Sequence, residues 1–313
     1  MKAALAALRS KAYWQHGAVW AGWRDGLLSS FGAMWLLASL ANFFSAYLGA
    51  FIQKQWIAFL AVGVVVTIWR TAPRGKISCR LAHRDVFLEI RVADMFKLSG
   101  AFVIGSNLSF DTSISDGLIS RRSVQGQFTE KYYTSVDHLD GDLSRALRDV
   151  TPVSRSTTKR GKPDVYAVGT TVHVVAKDKA KHRERRAYFL AFARMNDHGN
   201  AQATFEDLKT CLPALWDYVA TKGGDVEELV MPILGTGYGR LQQTRPEIIR
   251  TIVDSFVAAC ASSRFTSRLV IVIPFKDFYD HDLDLLELQR YVEHVCKYTE
   301  YRQPHAQGAG TAI

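Results

Sequence analysis

The segment Glu228-Leu-Val-Met-Pro-Ile-Leu-Gly-Thr-Gly-Tyr-Gly-Arg240 decides how this chain reads. A run of strand-forming apolar residues gives way to glycines at alternate positions, Gly235, Gly237 and Gly239, and helical periodicity resumes from Thr244. A strand, glycine loop and helix in that order present backbone N–H groups with no side chains in front of them, where phosphate oxygens can sit. Glycine loops at strand ends also serve as plain tight turns, so the functional reading needs an independent match elsewhere.

Outward from this segment the pattern alternates between strands and helices. Val86 to Val92 and Ala101 to Ile104 read as strands, and Val165 to Ala176 with Ala187 to Arg194 as a β-hairpin around the charged tip Lys177 to Arg186. Thr204-x-x-Asp207 opens a helix through Val219 that Pro213 is expected to kink or divide. An amphipathic helix from Arg245 to Ser262, a strongly apolar strand from Leu269 to Pro274 and a closing helix from Leu283 to Val295 follow. Strands apolar throughout, interleaved with helices, imply an α/β fold with a mixed sheet flanked by helices on both faces. In such sheets ligands bind outside the carboxyl ends of the strands. Three loops fall there: Ala93 to Phe96, Gly105 to Gly126, and Gly235 to Arg240.

The chain has 313 residues, a net charge of +9 and a pI near 9.4. Its basic residues sit beside apolar segments (Arg70, Arg74, Lys76, Arg80, Arg84) or in the hydrophilic run Lys177 to Arg186. No aromatic-interleaved basic helix is present, so nucleic acid is not an expected partner. Cys79, Cys211, Cys260 and Cys296 are scattered without a C-x-x-C, which argues against a zinc site and a disulfide framework.

Residues 1–26 carry Lys2, Arg9, Lys11 and Arg24 among alanines and tryptophans, the composition of a helix at a membrane interface. Leu27 to Gln53 then holds no charge, long enough for the roughly 20 helical residues a bilayer requires. Gln55 to Trp69 is shorter, but spans if the first helix ends near Gly49 and Lys54 reaches the far interface. The expectation is a transmembrane hairpin over residues 27–70 with both chain ends cytoplasmic, by the distribution of basic residues. A buried hairpin of a soluble domain is the alternative. A basic linker is expected over 71–84, the ligand-binding domain over 85–302 and a disordered tail over 303–313.

The loops carry the second match. Asp94 and Met95 follow a strand directly, where a carboxylate accepts from an exocyclic amine and the next N–H donates to a ring nitrogen. The second loop begins Ile104-Gly-Ser-Asn107 and continues through Phe110-Asp-Thr112, Asp116-Gly117-Leu-Ile-Ser120 and Ser123-Val-Gln-Gly-Gln127, short polar side chains suited to ribose hydroxyls. Together these segments resemble a macro domain, the ADP-ribose-binding fold. In that family G-D-[IV] holds adenine, here Ala93-Asp94-Met95. The last Asn of N-A-A-N meets the distal ribose, here Ser106-Asn107 with only the Asn shared. G-G-G-V-D-G-A-I is represented by Asp116-Gly117-Leu118-Ile119 without its glycine run, and G-[TS]-G-x-[YF]-G by Gly235-Thr236-Gly237-Tyr238-Gly239, one residue shorter.

The strings N-x-x-F-D-T, D-G-x-I-S, G-Q-F, P-I-L-G-T-G-Y-G-R-L and V-I-P look more like the macro domain of Thoeris antiphage effectors of the ThsA type, in which a two-helix transmembrane module precedes it. The resemblance implies a sensor, not an enzyme. A TIR-domain partner consumes NAD and releases an ADP-ribose-derived nucleotide, such as a histidine–ADP-ribose conjugate, and its binding leads to oligomerisation and membrane disruption. Gly235 to Gly239 would hold the diphosphate, Asp94 the adenine, and Asn107 and Asp116 the ribose. Arg240, Arg121 or Arg122 would meet an additional anionic group. No cofactor or metal is implied beyond that ligand. A membrane-tethered ADP-ribosyl hydrolase is the alternative, with Asp116 positioned to orient a water. His173 reads as a packed or edge histidine, and His281 with Asp280, Asp282 and Asp284 as an acidic helix start favoured by the macrodipole. Phe275, Phe278 and Tyr279 offer a ring for adenine or for the core.

Overall fold

Along the parallel strands successive residues face opposite sides and nearly all are apolar, so the sheet is buried on both faces. The computed structural model describes residues 17–45, 47, 50–51, 54–71, 75–82, 84–156, 158, 160–179, 183–196, 200–237, 240–274, 277–278 and 283–298. The elements in chain order are α1 (Gly17–Phe44), α2 (Trp56–Thr71), β1 (Lys76–Arg80), β2 (Phe87–Val92), β3 (Ala101–Asn107), α3 (Val124–Tyr132), α4 (Val136–Ala146), β4 (Ser154–Arg155), β5 (Asp164–Val165), β6 (Thr171–Lys177), β7 (Glu184–Met195), β8 (Ala201–Gln202), α5 (Phe205–Thr221), β9 (Glu228–Pro232), α6 (Arg245–Ser262), β10 (Arg268–Ile273) and α7 (Leu285–Tyr298). By its contacts the chain divides into two units, one built on α1 and α2, the other on β1 to β10 with α7.

In the larger unit the strand order is β1-β2-β10-β9-β3-β7-β6, with β8 paired to β7. The central strands β2, β10, β9, β3 and β7 run parallel, flanked by antiparallel β1 and β6. One sheet face, with Phe102, Ile104, Phe189, Ala191, Val230, Val270 and Val272, packs under Phe128 and Tyr132 of α3 and Leu139 and Leu143 of α4. The alternate residues, Val103, Tyr188, Leu190, Leu229, Met231, Leu269 and Ile271, are buried on the other face, where α5 and α6 pack together. There Trp216 of α5 meets Phe256 of α6 edge-on with centroids 5.4 Å apart, and stacks on Phe265. Beside α6 lies α7, tied by Tyr291 to Asp254 and Arg250 to Glu287.

Three sequence expectations change here. Pro213 lies inside α5, yet the helix is one element; burial of Leu208, Cys211, Leu212, Leu215, Trp216 and Val219 outweighs the missing N–H donor. Residues 76–80 of the expected basic linker form edge strand β1, because Ile77 is buried on the sheet and Lys76 reaches the buried Glu89 carboxylate at 2.9 Å. The polar stretch after Asn107 ends in two helices, α3 and α4, both N-capped by serine, Ser123 and Ser135. Two of the four scattered cysteines meet: burial and a hydrogen bond with Cys79 of β1 push the Cys296 thiol of α7 above its ordinary range.

The smaller unit pairs α1 with α2. Within α1, Trp23–Phe44 has 22 residues of mean hydropathy 1.5, long and apolar enough to cross a membrane. The 16 residues of α2 extend about 24 Å, less than the roughly 30 Å hydrocarbon core. Small residues set the contact between the helices. Ser30 and Thr67 hydroxyls lie 3.4 Å apart, and a Cβ on Gly63 would stand 3.2 Å from Met34 Cε. The large side chains turn outward, with Trp35 78% and Phe43 83% exposed. Residues 1–16 and the tail 303–313 lie outside the described residues.

Candidate functional site

All three loops singled out from the sequence leave the same edge of the sheet. Val92 pairs with Ile273, and Val272 with Pro232, so β2, β10 and β9 end in step. The ends of β2 and β9, from which the Asp94 and Gly235 loops leave, are therefore about 10 Å apart, two strand spacings. Strand β3 pairs with β9 at Ala101↔Leu229 and Phe102↔Val230 and then runs on to Asn107, so its carboxyl half extends beyond the β3–β9 ladder. Leu234, at the start of the glycine loop, packs beside this half of β3: a Cβ on Gly105 would lie 3.5 Å from Leu234 Cδ2 and 2.9 Å from Phe192 Cε1.

Asp94 is exposed and caps a single 3-10 turn, its Oδ1 accepting from Phe96 N at 3.0 Å. The Met95 side chain is buried in the core beside Phe102, so only its backbone belongs to the edge. In the glycine loop Gly235 has φ +78°, the left-handed region open to glycine at little cost, and accepts from Leu241 N at 3.0 Å. Thr236 donates to Ile233 O at 3.0 Å, while Gly237 is exposed with nothing within 4 Å of a Cβ. Tyr238 and Gly239 lie outside the described residues. Arg240 resumes at φ +51° with its guanidinium 3.4 Å from Asn200 Oδ1.

The loop after β3 is held by its own polar groups. Asn107 Oδ1 accepts from Ser109 N and Asp111 N, both at 3.1 Å. Its Nδ2 is buried with no hydrogen-bond partner, a costly state for an amide donor. Ser106 is buried and donates to Gln125 Oε1 at 3.4 Å, and Gln125 Nε2 donates to Asp111 O at 2.8 Å. Asp116 is exposed, its Oδ2 accepting from Ser113 at 2.7 Å, and Gly117 follows at φ +74°. Among the described residues the two non-glycine positions at positive φ are Phe110 and Arg240, both in these loops. Such conformations cost about 1–3 kcal/mol each and collect at binding sites.

Arg121 lies 3.7 Å from Glu130, both exposed, and Arg122 donates only its backbone N–H, to Ser120 Oγ. Sequence reasoning passed over Arg160 and Lys162, which the fold brings against the Asn107 to Asp116 loop; the turn string Arg160-Gly-Lys-Pro163 was the available signal. His173 donates to or accepts from Tyr218 at 3.0 Å away from the edge, and burial, then Arg186, lower its pKa. Phe278 is buried, whereas Asp280, His281, Asp282, Phe275 and Tyr279 lie outside the described residues. Among the described residues no group of three His, Cys, Asp or Glu side chains is arranged to hold a metal ion. One cavity of about 720 Å³ lies at the opposite sheet edge, between Asp85, Glu184 and Arg268, and another of about 560 Å³ between α5 and α6; neither includes a residue of the three loops.

A mixed sheet in this order, covered on both faces and with its loops gathered at one carboxyl edge, defines the larger unit as a macro-type α/β domain. The family "Thoeris protein ThsA, Macro domain" matches residues 88–274, and the chain belongs to that family. It is similar to Thoeris protein ThsA of Bacillus amyloliquefaciens (strain Y2), 24% identical over 184 residues, 56% of this chain and 57% of that protein. The chain thus spans a little over half the length of this curated relative. Among solved structures, the Oceanobacillus iheyensis macrodomain with MES bound gives a TM-score of 0.45 at 14% identity, over 68% of this chain and 99% of that one. A mutant of the same macrodomain with ADPR gives 0.45 at 12%, with the same coverage.

Proposed function

We propose that this protein is a membrane-anchored antiphage effector whose macro domain senses an ADP-ribose-derived nucleotide released by a TIR-domain partner that consumes NAD. Family membership supports the Thoeris setting. What supports the ligand reading is that the Asp94, Asn107 and Gly235 loops all leave one carboxyl edge of the sheet, where the Asn107 Nδ2 amide is buried without a hydrogen-bond partner. In this reading the bare amides after Leu234 hold the diphosphate, Asp94 meets the adenine amine, and Asn107, Asp116 and Gly117 surround the distal ribose. Asn107 Nδ2 is covered by protein, so a ribose reaches it only as the 108–117 loop shifts. That shift gives the ligand different affinities for two states, which any ligand-driven switch requires.

The output in this reading is a change in self-association that reorganises the α1–α2 hairpins as two spans of the inner membrane, with both chain ends cytoplasmic. The apolar, outward-turned side chains of α1 and α2 support bilayer contact. Two helices per chain cannot line a pore alone, so clustering of copies supplies the membrane event.

A thermal-shift panel on the full chain in detergent micelles, with NAD, ADP-ribose, its cyclic forms and amino-acid conjugates, tests the ligand. A specific ligand at a hundred times its Kd adds about 2.7 kcal/mol of stability. No shift with any of them sinks the reading. Release of product from an ADP-ribosylated substrate, abolished by Asp116→Ala, would establish the hydrolase reading instead.

A further inference from the structure

The segment between β4 and β5 is strapped onto the loop that follows Asn107. Lys162 donates its backbone N–H to Asp111 Oδ1 at 2.7 Å, and its ammonium lies 2.6 Å from Asp140 Oδ1, which also accepts from Thr112 at 2.5 Å. Gly161 makes the close approach possible: its φ is +92°, and a Cβ there would stand 2.4 Å from Asp111 Oδ1. Asp111 is itself buried. The strap therefore sits in a fixed place, held by groups other than the side chain of its neighbour Arg160.

Arg160 is exposed at the rim, and its Nη2 donates to the backbone carbonyl of Asp116 at 2.9 Å. Of the arginines near the site, among the described residues, it is the one whose guanidinium is hydrogen-bonded to the loop that carries both Asn107 and Asp116. Arg121 reaches Glu130 and Arg240 reaches Asn200. A guanidinium has five N–H donors in a planar fork suited to carboxylate or phosphate oxygens. Beneath the same loop lies the buried, partnerless Nδ2 of Asn107, a donor that a ligand hydroxyl would satisfy.

We propose that Arg160 is a specificity-determining residue that grips an anionic group, a carboxylate or a phosphate, carried on the distal ribose of the nucleotide. This rests on the ligand reading given above. An anion at the rim draws Arg160 from the Asp116 carbonyl and frees the loop to admit the ribose, so recognition of the substituent and opening of the site are one event.

The test is titration calorimetry on the full chain in detergent with three ligands: ADP-ribose, an amino-acid conjugate of ADP-ribose with a free carboxylate, and ADP-ribose phosphorylated on its distal ribose. Wild-type protein is expected to prefer one of the two anionic ligands, and which one identifies the group. Arg160→Gln weakens that ligand about ten- to a hundredfold, the range for charged hydrogen bonds, and leaves ADP-ribose within twofold. Arg160→Lys, which keeps the charge without the fork, recovers part of the loss. Equal weakening of all three ligands, or none, overturns the assignment while leaving the nucleotide reading intact. Wild-type protein that binds none of them overturns both.

Discussion

Replacing Gly237 and Gly235 by alanine separates what the glycine loop does for the fold from what it does for a ligand. Nothing lies within 4 Å of a Cβ at Gly237, which is exposed and outside the positive-φ region. Gly237→Ala is thus expected to leave stability within about 0.5 kcal/mol, like other unstrained surface changes. If the loop amides seat a diphosphate, the new methyl stands where oxygens approach. Loss of one charge-assisted contact, about 1.5–3 kcal/mol, weakens ADP-ribose roughly 10- to 150-fold. Gly235→Ala behaves differently. Left-handed backbone costs a side-chain-bearing residue about 1–2 kcal/mol, and the Cβ would lie 2.3 Å from Leu241 Cδ1 and 2.6 Å from its Cγ, forcing that side chain off its rotamer for about 1 kcal/mol more. The sum, about 2–3 kcal/mol, lowers the melting temperature by several degrees before any ligand is added. Differential scanning fluorimetry and titration calorimetry on the same samples read both quantities. A Gly237→Ala protein that binds ADP-ribose like the wild type would refute the phosphate seat, however stable it proved.

Three further changes probe other parts of the argument. Asp94→Asn keeps an oxygen for Phe96 N, so the melting temperature holds while nucleotide affinity falls about tenfold by calorimetry; unchanged affinity removes Asp94 from the adenine. At Asp207 burial works against the charge, yet hydrogen bonds from Arg194 and Thr204 overcome it and hold the carboxyl below its usual range. That contribution is complete above the unfolded value near 4 and fades as pH falls through the lower folded value, so denaturant titrations should show Asp207→Asn losing less stability between about pH 5 and 2 than the wild type; parallel curves contradict the linkage. In the smaller unit, a Ser30→Cys, Thr67→Cys pair should cross-link within one chain under mild oxidation, and adding Gly63→Leu should abolish the cross-link by driving Met34 away; cross-linking that survives shows the helices meet elsewhere.

The sequence made the parallel core legible because its physics is local. Leu269 to Ile273 is apolar on both faces and too short for a helix, so it reads as a central strand, while the Thr204 capping box announces α5 and the periodicity from Thr244 announces α6. Edge and connection elements were less visible because long-range partners decide them. Lys76–Arg80 looks like a basic linker until Glu89 is found buried beneath Lys76 and Arg91, a carboxylate whose need for cations fixes the register of β1. Helix α3 was hidden in a glycine- and serine-rich stretch whose turn-forming side chains serve as its cap, with Ser123 accepting from Gly126 N.

The site divides along the same line. The places of Asp94, Asn107 and Gly235 at the carboxyl edge were legible because each lies at or just past the end of a strand, and a strand's end is fixed by its own pattern. For Arg160 the turn string marked a turn but not its place, which depends on Gly161 letting a distant hairpin descend onto Asp111. In the reading proposed above, residues assigned to the common core of the ligand lie at strand ends and leave local signals, whereas the one assigned to its variable group sits on a connection whose position only the assembled fold defines. The strap is accordingly the part of this protein in which a change of ligand among relatives would first be written.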